Sequence, residues 1–66
     1  MKSNKRLTNH LKKTYDHNEK ARNIILSELN KEQDTQKIKT LTQYKLKTLD
    51  IKLKLKNLIE NVDDLL

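Results

Sequence analysis

In the second half of the chain, seam residues recur at intervals of three and four. Leu41, Tyr44, Thr48, Ile51, Leu55, Leu58, Val62 and Leu65 form the series, and Ile59 and Leu66 widen it. At 100° of rotation per residue this is a heptad seam sustained for more than three repeats, on one side of a long amphipathic helix.

A rival period lies inside the same stretch. Ile51 to Lys56 alternates apolar and basic residues, which is the pattern of a strand. The alternation is brief and sits within a helical pattern running from about 36 to 65, with no breaker on either side. Composition agrees with the helix. The chain has no Gly and no Pro, the residues on which tight hairpin turns depend. Leu and Lys are good helix formers, and one Val with two Tyr is a thin supply for a sheet. The reading is all-α.

Read as helix, the alternation acquires a use. Leu46, Leu49 and Leu53 fall roughly 120–180° from the main seam, three and four residues apart. Lys45, Lys47, Lys52, Lys54 and Lys56 fill the flanks between them. A helix that covers a single core has no need of a second stripe. Burying these three leucines would contribute roughly 5–9 kcal/mol before ordering costs. Leu46, Leu49 and Leu53 are therefore the expected partner or oligomer interface.

The first half carries a weaker seam of Leu7, Leu11, Thr14, Asn18, Ala21, Ile25 and Leu29, broadened by Tyr15, Ile24 and Leu26. An Asn in a seam can set register at some cost in stability. Asp16 and Glu19 also fit a capping box. The spacing predicts one helix from about 4 to 30; the alternative is a break near 15–18, which makes three helices in all.

One continuous rod would put the two seams on opposite faces. From Ile25 to Leu41 the rotation leaves them roughly 160° apart. Residues 30–36 contain no aliphatic side chain, Asn30 can take a left-handed C-terminal cap, and Asp34 or Thr35 can cap the next helix. A turn near 30–35 gives an antiparallel αα-hairpin, a single domain over 1–66. Charge agrees with that orientation. Residues 1–22 hold seven basic and two acidic groups, a net +5, and residues 57–66 hold Glu60, Asp63 and Asp64, a net −3.

A chain of 66 residues buries only about 60% of its unfolded surface, so its core is marginal without a staple or an oligomer. With no Cys, disulfides and thiolate metal sites are excluded. Self-association, as a dimer forming a helical bundle, is the expected remedy.

Little here carries chemistry. His10 and His17, seven residues apart, lie on one side of a helix about 10 Å apart along its axis, too far to share a metal. A chain without Gly has no phosphate loop. The expectation is a non-enzyme with no catalytic residue, no metal, no cofactor and no small-molecule substrate. No apolar run approaches the ~20 residues that span a bilayer, and a cytoplasmic location is expected.

Net charge is +6, almost all of it from Lys, with Arg only at Arg6 and Arg22. Residues 37–56 hold seven lysines and Asp50, again a net +6. Lys acts as a point charge that favours phosphate backbone over base edges. Two functions follow. The first is an interaction and regulatory protein that self-associates and binds another macromolecule as adaptor, scaffold or inhibitor. The alternative is a protein contacting RNA or DNA backbone through Lys12, Lys13, Lys45, Lys47, Lys52, Lys54 and Lys56.

Overall fold

The computed structural model describes residues 2–65, and the side chains of 5–62 and 64. It is an antiparallel helical hairpin, with α1 at Lys2–Lys31 and α2 at Thr35–Leu65. The molecule measures 50 × 15 × 11 Å, as two side-by-side rods of this length must. Residues 51–56 are helical, and no strand occurs among the described residues.

α1 runs unbroken through 15–18, so the alternative of a third helix is corrected. Asp16 is exposed in mid-helix rather than capping a new one. Hydroxyls inside both helices are accommodated by back-bonding: Thr14 donates to the His10 carbonyl at 3.0 Å, Thr42 to Ile38 at 2.8 Å and Thr48 to Tyr44 at 2.8 Å.

The turn is made without glycine. Glu32 Oε1 accepts from the backbone N–H of Gln33 at 3.3 Å and of Asp34 at 3.1 Å. Asp34 Oδ1 then accepts from Gln36 at 2.8 Å and Lys37 at 3.3 Å, satisfying donors that the first turn of α2 leaves unpaired. Asn30, expected as a left-handed cap, stays inside α1, and no non-glycine residue has positive φ among the described residues. Two carboxylates fold the link between the helices, so it needs no left-handed residue.

The contact between the helices is itself a heptad series. On α1 the shielded positions in this series are Thr8, Leu11, Tyr15, Asn18, Arg22, Ile25 and Leu29, with Glu19 half-buried beside it. On α2 they are Ile38, Leu41, Thr48, Lys52, Leu55, Ile59 and Val62, with Thr40, Leu49 and Asn61 half-buried outside the series. Asn18 Nδ2 donates to the Thr48 carbonyl at 3.0 Å and pins the register. Stepping seven residues either way from that pair brings Leu11 to the turn of Leu55, and Ile25 to the turn of Leu41.

Three residues of each expected seam lie elsewhere. Leu7, Thr14 and Ala21 on α1, and Tyr44, Ile51 and Leu58 on α2, are exposed. Their places between the helices go to Tyr15, Arg22, Lys52 and Ile59, a rotation of each seam by roughly 50°. Long basic side chains can line such a seam with their methylene stems while their heads reach out to water or a carboxylate. Leu65 and Leu66, also assigned to the seam, lie outside the described side chains.

The resulting core is small. Only Leu55, at 9% exposure, and Val62, at 5%, are buried among the described side chains. Truncating Leu55→Ala is expected to cost about 2–4 kcal/mol, a large part of what so small a domain has, and thermal circular dichroism checks it. Asp34→Ala should cost about 1 kcal/mol through loss of the cap, read as a lowered midpoint with the helical spectrum retained below it.

Candidate interaction surfaces

Three groups of side chains stand out around the hairpin. The first sits between the helices at mid-length. Glu19 Oε1 lies 3.5 Å from Arg22 Nη1 and 3.4 Å from Lys52 Nζ, and Lys52 Nζ also donates to Glu19 Oε2 at 3.4 Å. These groups are partly shielded, and at Glu19 Oε1 the pairing is one of charge proximity without an aligned hydrogen bond. With Asn18 they form a polar layer between apolar ends. Such a layer specifies register more than it stabilises.

The second group is the expected stripe on α2. Leu46 is 60% exposed and Leu53 is 56% exposed. They lie seven residues apart, two turns along one side of the helix. Leu49 is half-buried, because its angle lies between that stripe and the contact with α1. The three leucines thus form a patch with one edge tucked against the hairpin seam and two open residues.

The third group belongs to the expected seams but lies on the surface. Tyr44 is 51% exposed, and Ile51, Leu58 and Leu7 are exposed beside it. In an antiparallel pair, residues that lead the contact on one helix share a face with those that lead it on the other. The register set by Asn18 places Leu7 at the turn of Leu58, Thr14 at that of Ile51 and Ala21 at that of Tyr44. Ile24, also exposed, rims this face. The signal was present in the sequence: two parallel seams, each too broad for one partner helix to cover.

The lysines are dispersed. Lys12, Lys13, Lys45, Lys47, Lys54 and Lys56 are exposed, and Lys52 is half-buried. On α2, Lys45, Lys52 and Lys56 lie on one side, while Lys47 and Lys54 lie roughly 160° away on the helical wheel. Lys52 is drawn to Glu19, and Lys54 Nζ meets Asp50 Oδ2 at 2.9 Å. His10 and His17 are both exposed. Among the described residues no group of three or more His, Cys, Asp or Glu side chains could hold a metal ion, and no helix is long and apolar enough to cross a membrane.

No known protein family matches the chain, and neither a curated protein nor a solved structure does.

In a double-mutant cycle, Glu19→Gln and Lys52→Met should couple by no more than about 1 kcal/mol, the range of partly exposed ion pairs. Urea unfolding of the four proteins gives the value, and a coupling several times larger would mean the layer is a main source of stability.

Proposed function

We propose that this chain is a non-enzymatic interaction protein, a helical hairpin that self-associates and binds another macromolecule as a regulator, adaptor, scaffold or inhibitor, in the cytoplasm. The observation that carries the reading is the mismatch between apolar surface and core. The hairpin exposes 5512 Å², against about 4,400 Å² for a compact monomer of 7.9 kDa. Its radius of gyration is 15.2 Å, against about 11 Å for a compact domain of this length. Two rods cannot cover three apolar faces, and Leu7, Ile24, Tyr44, Leu46, Ile51, Leu53 and Leu58, all exposed, are the kind of apolar surface that marks a binding site.

The Leu46, Leu49 and Leu53 patch is one such contact. Light scattering at tens of micromolar is expected to give twice the chain mass. A Leu49→Asp, Leu53→Asp variant should keep its helical spectrum but lose either that mass or its co-purifying partner. Unchanged mass together with unchanged partner binding would reject the patch.

The alternative reading is nucleic-acid binding through the seven lysines. The surplus of six positive charges supports it. The dispersal of those lysines around α2, and the pairing of Lys52 and Lys54 with carboxylates, weigh against a single phosphate-binding face. This reading requires retention of RNA or DNA on filters that falls steeply with salt and depends little on sequence. A filter that retains neither at low salt removes it.

A further inference from the structure

The strongest apolar periodicity of each helix points neither straight at the other helix nor away from it. On α1 the series is Leu7, Leu11, Thr14, Asn18, Ala21 and Ile25; on α2 it is Leu41, Tyr44, Thr48, Ile51, Leu55, Leu58 and Val62. Three residues of each series open on one shared face, and the others fill the hairpin contact. A helix pair has this geometry when its apolar sides aim at an axis lying outside the pair. In a four-helix bundle the core direction of each helix bisects the directions to its two neighbours.

We infer that the face bearing Leu7, Tyr44, Ile51 and Leu58 is the seat of a second copy of this chain, placed so that α1 of each copy lies over α2 of the other. The inference rests on the self-association proposed above and assigns it a surface. Three observations select this occupant. The first is area. The whole hairpin exposes about 1,100 Å² more than a compact monomer of its mass, and on this face Tyr44, Ile51, Leu58 and Leu7, each at least 41% exposed, contribute to it.

The second is side-chain size. On this face α2 presents Tyr44 and Ile51, whereas α1 presents Ala21 and Thr14 at the matching turns. Laying α1 over α2 of the second copy sets large residues against small ones at these two levels and Leu7 against Leu58 at the third. The surface thus meets itself with apolar contacts along its length. An isologous dimer requires that property.

The third is charge. The α1-over-α2 arrangement sets His10 and His17 of one copy, and no lysine, at the turns of Lys54 and Lys47 of the second copy. The other twofold arrangement, α2 over α2, would bring Lys47 to the turn of Lys54 of the second copy, setting like charges together on the rim. Leu46 and Leu53, roughly 150° around α2 from the Tyr44 stripe, stay open in this dimer for a different macromolecule.

The test uses the full chain. Ala21→Lys and Ile51→Asp alter exposed positions and should retain helical circular dichroism, while light scattering at tens of micromolar falls from twice the chain mass to the monomer. Leu46→Asp, Leu53→Asp, on the other side, should leave the dimer mass unchanged. For the pairing of helices, a short bis-maleimide should link His10→Cys protein mixed with Lys54→Cys protein, and should not link Lys47→Cys protein mixed with Lys54→Cys protein. A wild-type dimer that ignores Ala21→Lys and Ile51→Asp but dissociates with the leucine pair overturns this face and leaves self-association standing. Cross-linking of only the second mixture overturns the α1-over-α2 arrangement. A wild-type chain that is monomeric throughout overturns both the face and the self-association on which it rests.

Discussion

Two straight rods touch along one line, and most features of this molecule descend from that geometry. Each helix of the hairpin has a single neighbour, so each can shield only the narrow stripe that faces it. The chain nevertheless carries apolar residues over a much wider arc of α2. Leu55 and Val62 are buried because they sit on the contact line near the open end of the hairpin. Tyr44, Ile51, Leu46 and Leu53 are exposed because α1 reaches only one side of α2.

The contact line is not uniformly apolar. Its ends are built from Leu11, Leu55, Ile59 and Val62, and from Ile25, Leu29, Ile38 and Leu41. Its middle holds Asn18, Glu19, Arg22, Thr48 and Lys52. Shielding these groups costs desolvation that ion pairs at 3.4–3.5 Å only partly offset. What the layer supplies is uniqueness. A slip of one heptad would carry Asn18 away from the Thr48 carbonyl and Lys52 away from Glu19, whereas the leucines at either end would accept the slip readily. Stability is exchanged for register, a tolerable exchange where assembly supplies further burial.

Much of this was legible in the residues. Absence of Gly and Pro, together with a sustained heptad period, marks two long helices, and the aliphatic gap over 30–36 marks the turn. Asp34 as cap was readable because a carboxylate there meets unpaired N–H groups under any packing. Other features were not readable. Asp16 and Glu19 satisfy a capping pattern by type and spacing, yet continuous helix on both sides lets Glu19 serve the contact with Lys52 instead. Asn30 suits a left-handed cap, but Glu32 and Asp34 fold the turn two residues later with ordinary backbone. The lysines look like one basic stretch in linear order, and rotation along α2 sends them to opposite sides.

The direction of the seams divides local from global information most clearly. Periodicity determined which residues share a side of each helix, because the angle between two residues on a rod depends only on their separation. It could not determine where that side points, because the direction depends on the neighbour. A seam of Leu41, Tyr44, Ile51, Leu55 and Leu58 is compatible with a partner set toward Tyr44 or toward Lys52. Packing chose the latter: the long stems of Arg22 and Lys52 can line the contact while their charges meet Glu19. Sequence alone thus determined the rods, the turn and the apolar stripes. Tertiary structure decided which stripe became core and which was left as surface, since burial is a property of pairs of helices and not of either one.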